Sequence, residues 1–146
     1  MVAETDLVQR LVDEGWTVIT DDGFVGTVGP FLQRSLGGEL RFRFPTEARH
    51  KNLRGVLQGG ALMTFADRAM GIAARAAASA DRSATAQLNF QFVAAVEIGD
   101  MLETTPVAVR VTSRLVFMNA ELTVGPKVVG VASGIWKLLA PAVTKS

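Results

Sequence analysis

The stretch NLRGVLQGGALMTFAD, from Asn52 to Asp67, holds two amides, a glycine pair, a hydroxyl and a carboxylate. Gly59-Gly60 opens an alanine-rich segment free of proline, so its backbone N–H groups sit at the positive end of a helix dipole. Glycine lets a ligand approach that backbone, and the result is a site for a developing oxyanion. Asn52 and Gln58 lie just upstream and supply amides that can donate to a carbonyl or hold a water. Asp67 follows a little over two turns later, on a face shared with Met63, Thr64, Gly71 and Ala74. Among alanines and methionines such a carboxylate is short of water, which suits it to activate a water or to attack a substrate directly. A helical acid by itself is more often structural. The glycine-opened N-terminus and Asn52 beside it favour a functional reading here.

Composition removes most other chemistry. The chain has no cysteine and one histidine, His50, in 146 residues. Thiolate metal sites, disulfides and a cysteine nucleophile are therefore excluded, and neither a multi-histidine metal site nor a Ser-His-Asp triad has its parts. No metal and no separate cofactor is expected. His50 reads as a structural residue of a surface loop. Fifteen basic against fourteen acidic residues leave a net charge of +1, without the positive field of nucleic-acid binders. The N-terminus MVAETDLVQ lacks a signal-peptide pattern and no run is apolar enough for a membrane span. The reading is a cytoplasmic protein with neither nucleic-acid nor membrane partners.

The elements that must position these residues follow from periodicity. Residues 1–146 form one domain by size, and 49% hydrophobic content suffices for a core. Residues 4–14 read as a short amphipathic helix with Leu7, Val8, Leu11 and Val12 as its stripe. Residues 16–19 and 24–33 read as extended, and Glu39–Phe44 as a strand after the Gly37-Gly38 turn. Residues 59–78 form a long helix, with Ala61, Leu62, Phe65, Ala66, Ala69, Met70, Ala73, Ala74 and Ala77 covering most of its circumference. After it, Thr85–Val93 alternates, with Ala86, Leu88, Phe90 and Phe92 on a dry face and Thr85, Gln87, Asn89 and Gln91 on a wet one. Residues 101–112, 114–124 and 127–138 give three more strands, with Pro106 marking an edge or bulge. The tail after Pro141 reads as loose. The expected fold class is α+β, a long central helix wrapped by a curved antiparallel sheet of about five to six strands.

At this point the chain resembles the hotdog-fold acyl-CoA thioesterases, in particular the phenylacetate-pathway type. Their pattern is an asparagine, a glycine, then His-Gly-Gly and an aspartate eight residues after the first glycine of the pair. Asn52, Gly55, Gly59, Gly60 and Asp67 match it, and Gln58 stands where the family usually has histidine. Thr85 takes the place of a Ser or Thr at the start of the next strand, and Gly99-Asp100 the place of the usual turn. Related 4-hydroxybenzoyl-CoA thioesterases use glutamine near position 58, with glutamate on the helix.

The resemblance implies hydrolysis of an acyl- or aryl-CoA thioester to free acid and CoA. Asp67 would be general base or nucleophile, Gly59 N–H the oxyanion donor, and Asn52 of the opposite subunit would orient water or substrate. Thr85 would assist Asp67, and Gln58 would complete the catalytic set. Gly60, Thr64 and Arg82 are expected to contact substrate. The implied assembly is a homo-oligomer, a dimer or a tetramer built as a dimer of dimers, with active sites at the subunit interface. Arg41, Arg43, Arg49, Lys51 and Arg54 offer cations for the CoA phosphates, although such a run is usually a solvated face. Two other readings compete: a non-catalytic acyl-CoA-binding hotdog protein, motivated by Gln58, and acyl-thioester hydration or dehydration, which His50 lies too far outside any motif to serve.

Overall fold

The computed structural model describes residues 4–141, so the tail after Pro141 lies outside the described residues. In chain order the elements are α1 (Glu4–Asp13), β1 (Thr17–Val18), α2 (Phe24–Val28), β2 (Leu32–Leu36), β3 (Glu39–Pro45), a 3₁₀ turn (Ala48–His50) and α3 (Gly59–Ala78). There follow β4 (Ser83–Phe92), β5 (Met101–Thr104), β6 (Val107–Val111), β7 (Leu115–Val124) and β8 (Lys127–Leu138). The strands make one antiparallel sheet in the order β1-β2-β3-β5-β7-β8-β4, with β6 also on β7. α3 lies against β3, β4, β6, β7 and β8. This is the hotdog architecture in an α+β fold.

The sheet has eight strands rather than five or six. Pro106 ends β5 and the chain resumes as β6, because proline offers no N–H to the ladder. A larger departure lies at 24–33, where α2 replaces the front half of the expected extended run. Val25, Thr27 and Val28 favour a strand by propensity, but tertiary contacts decide. Asp21 Oδ1 accepts the Gly23 N–H at 2.7 Å, turning the chain into α2. At the far end, Arg49 donates to the Thr27 and Gly29 carbonyls.

His50 completes that clamp. Its Nδ1 accepts the Glu47 N–H at 3.0 Å, so Nε2 carries the proton and donates to the Val28 carbonyl. The residue is 5% exposed and stacks edge-on against Phe44. The sole histidine is thus structural, as expected, yet buried rather than on a surface loop.

α3 buries Ala61, Leu62, Phe65, Ala66, Ala69, Met70, Gly71, Ala73 and Ala74; Ala77, expected among them, is exposed. Its small residues let the sheet approach closely, and Phe65 plugs into Phe31 and Phe44 at ring separations of 5.1 and 5.7 Å. α1 covers a second cluster of Leu11, Trp16 and Leu32. The β4–β8 ladder runs from Ser83↔Leu138 to Phe92↔Gly130 and carries two glycines with no room for a side chain. A methyl group at Gly134 would lie 2.5 Å from the Gln87 carbonyl oxygen and 2.6 Å from the Trp136 ring. Backbone on one side and a buried indole on the other cannot both yield. Gly134→Ala is expected to cost about 1–3 kcal/mol, read as a lower urea midpoint; an unchanged midpoint would show that the ladder accommodates the methyl.

Candidate active site

The backbone of β4 settles where Thr85 points. Strict alternation puts Thr85 with Gln87, Asn89 and Gln91, away from α3. The register instead shifts between Thr85 and Gln87, so Thr85 pairs with Trp136 while Gln87 pairs with Ile135. One extra residue in this bulge, Ala86, is exposed, and the phase of the strand reverses across it. Thr85 therefore faces the helix together with Leu88 and Phe90, and its hydroxyl donates to Asp67 Oδ1 at 2.6 Å. Asp67 is half-buried, and its Oδ2 has no hydrogen-bond partner among the described residues. A short hydroxyl-to-carboxylate bond fixes the acid's rotamer and leaves lone pairs for a water.

The other predicted residues gather at the N-terminal mouth of α3. Gln58 is its N-cap without a side-chain capping bond; its carbonyl accepts the Ala61 N–H at 2.9 Å. The Gly59 and Gly60 N–H groups have no acceptor among the described residues. These two donors are what an oxyanion needs. Gln58, Gly60 and Thr64 line a recess of about 420 Å³ with Phe24, Val28 and Ala61. The Thr64 hydroxyl is spent on the Gly60 carbonyl, 2.7 Å away.

Gly59 opens instead on a groove of about 370 Å³ with Asn52, Arg54, Leu62 and Phe92. Phe92, which the sequence reading placed only among core residues, is 56% exposed, and its ring lies 3.1 Å from where a Gly59 side chain would begin. Asn52 Oδ1 accepts the Arg54 and Val56 N–H groups at 2.8 and 3.3 Å, which shapes the loop before the mouth. Its amide N–H groups donate to no described residue. Arg82 lies apart, donating to the Ala140 carbonyl at 3.1 Å.

Of the five clustered cations, three are engaged. Arg41 pairs with Glu39, Arg43 with Glu103 and the Trp16 ring, and Arg49 with Glu47 and the α2 carbonyls. Among the described residues Lys51 and Arg54 have no ion-pair partner, and both flank the mouth. No group of three or more His, Cys, Asp or Glu able to hold a metal is found among the described residues.

Comparison with known proteins fixes the family. Residues 54–131 match the family model described as the thioesterase superfamily. The chain belongs to the thioesterase superfamily. Membership makes it a thioester hydrolase. It is 32% identical, over 76% of its length and 84% of the relative's, to a protein of Pseudomonas aeruginosa provisionally named an esterase. Its fold is similar to that of a mutant phenylacetic acid degradation protein PaaI from Thermus thermophilus, with a TM-score of 0.71, 22% identity and coverage of 81% and 100% of the two chains. A Bacillus halodurans protein solved with CoA gives a TM-score of 0.60 at 20% identity, over 68% and 66% of the chains.

A tie between Asp21 and Arg68, 2.9 Å long, closes the loop before α2 against α3. The Gly23 N–H bond, opposed by partial burial and reinforced by Arg68, holds the Asp21 carboxyl below its ordinary 3.8. A depressed carboxylate contributes stability that is present above that ordinary value and lost as pH falls through the lower folded value. Asp21→Asn should thus flatten the acid limb of a stability-versus-pH curve below about pH 4. A limb as steep as the wild type's would remove Asp21 from the acid response.

Proposed function

We infer that the protein hydrolyses acyl-CoA thioesters at a site shared between two copies of the chain, with Asp67 as general base or nucleophile. The single observation that carries this reading is the separation of its parts. Asp67 and Gly59 are eight residues apart, about 12 Å along the helix axis. One thioester carbonyl cannot be reached by both within one chain. The bare edge of β4 offers the remedy.

Among the described residues β4 pairs only with β8, which leaves one edge of a ten-residue strand without a partner there. The segment SATAQLNFQF holds no charge and no proline, the usual guards of such an edge. Two copies joined antiparallel at this edge, around a two-fold axis near Leu88, set Thr85 of one beside Phe92 of the other. Thr85 touches Asp67, and Phe92 lies over Gly59. The acid of one copy then meets the free N–H groups, Asn52 and Gln58 of the second.

In that arrangement the thioester carbonyl oxygen takes hydrogen bonds from Gly59 N–H, and Asn52 orients the attacking water. Asp67, held by Thr85, takes the water's proton, or attacks the carbonyl carbon to give an anhydride that water then opens. The tetrahedral intermediate collapses with expulsion of the CoA thiolate, a good leaving group, so a sparse site suffices. Gln58 donates an amide where the family has histidine. Lys51 and Arg54 are the cations left for the CoA phosphates.

Thiol release from a panel of acyl-CoAs tests the chemistry. Asp67→Asn should lower kcat by about 10²-fold or more, and equal rates would remove Asp67 from the mechanism. Binding with no turnover of any acyl-CoA by the wild type would sink the hydrolase reading. Complementation tests the shared site: Asp67→Asn and Gly59→Val chains, each inactive alone, should recover about one quarter of wild-type activity when unfolded and refolded together. No recovery would confine the site to one chain. Lys51→Gln with Arg54→Gln should raise KM about tenfold with kcat held; an unchanged KM would place the phosphates elsewhere.

A further inference from the structure

Beyond Asp67, towards the C-terminal end of α3, two donor groups lie beside Gly71 with no carboxylate to receive them among the described residues. Arg75 follows Asp67 by two helical positions of four, on the same face, with Gly71 between. Its Nη1 contacts only the Ser83 hydroxyl, at 3.3 Å, and no carboxylate pairs with it among the described residues. The Trp136 side chain is 1% exposed, and its indole N–H has no acceptor among the described residues. Both groups converge on Gly71: a methyl group there would lie 3.1 Å from Trp136 Nε1 and 3.9 Å from Arg75 Nη1. An indole and a guanidinium are donors only. Burial first, and then the neighbouring Arg68, push the Arg75 guanidinium down from its ordinary value. The half-buried charge has no counter-ion among the described residues, while Arg68 is already paired with Asp21.

Resting on the hydrolase reading above, we propose that Arg75, Trp136 and Ser83 form an anion subsite for the far end of the acyl group, so that the preferred substrates are acyl-CoAs whose chain ends in a carboxylate. The dimension follows from the helix. Asp67 and Gly71 are about 6 Å apart along the axis, which corresponds to an acyl chain of roughly four to six carbons between thioester and anion. Gly71 is required because a side chain there would stand between the two donors. Arg75 reads the carboxylate by charge and the indole N–H by direction, a combination that a methyl-ended chain of equal length leaves unpaired. Arg75 and Trp136 are specificity residues here and take no part in the chemistry at Asp67.

The test separates recognition from turnover. Calorimetry is run with two CoA thioethers that cannot be hydrolysed, one with a five-carbon chain ending in a carboxylate and its methyl-ended isostere. The wild type should bind the first about tenfold more tightly or better. Arg75→Gln should abolish that preference, and Arg75→Lys should restore part of it. Equal affinities in the wild type, or a preference that survives Arg75→Gln, would overturn the subsite. Gly71→Ala, which blocks the space without removing a donor, should also lose the preference, and retention of it would count against the placement. Thiol release from the matching thioesters is measured alongside. A binding preference without release would sink the hydrolase reading and keep this one, whereas release with no preference would do the reverse.

Discussion

The fold depends on one constraint: α3 is apolar nearly all round and must be enclosed. A helix rich in leucine would hold a sheet at a distance, whereas the buried alanines at 61, 66, 69, 73 and 74 bring strands close to its backbone. That closeness has two effects. It favours glycine where α3 passes over the Trp136 indole, at Gly71. It also sets Asp67 and Arg75 on the seam beside β4, while Thr64 and Arg68 face the α2 side. Asp67, Gly71 and Arg75 share that seam because the period of the helix sets them there, and the strand that borders it supplies their hydroxyl partners, Thr85 and Ser83.

Support for the mouth comes from a different part of the chain. α2 is a short helix with no buried residue of its own, kept in place by Arg49, His50 and the Asp21–Arg68 pair. These groups use charge and directional hydrogen bonds where packing is thin. The lone histidine is committed to a carbonyl on one side and a backbone N–H on the other. The proposed hydrolysis therefore draws on a carboxylate and backbone dipoles, as the composition implies.

The sequence made the central helix, most of the strands and the mouth legible, because each has a strong local signal: an apolar surface at helical period, alternation at period two, and a glycine pair. The front half of 24–33 is not legible as helix, since its β-branched residues are overruled by contacts with residues twenty or more positions away. Likeness sets Thr85 beside Asp67, where its hydroxyl lies, while strict alternation aims it at solvent; a bulge leaves no mark that period counting can detect. Phe92 was legible as apolar but not as exposed, because only the sheet order reveals that β4 is an outermost strand. The separation of Lys51 and Arg54 from their engaged neighbours needs coordinates, because Arg43 finds Glu103 across the β3–β5 pair and Arg49 reaches the α2 carbonyls.

The bulge at Ala86 carries an implication for how such a site diversifies. It divides β4 into two segments that answer to different demands: in 87–92 Leu88 and Phe90 pack against the core, while in 83–85 Ser83 and Thr85 turn towards the seam. Exchanges in the shorter segment alter the polarity offered to the acid without disturbing the interlocked half. The strand thus works as a pivot, so that what stands beside the acid can change at 83–85 while the packing of Leu88 and Phe90 stays constant.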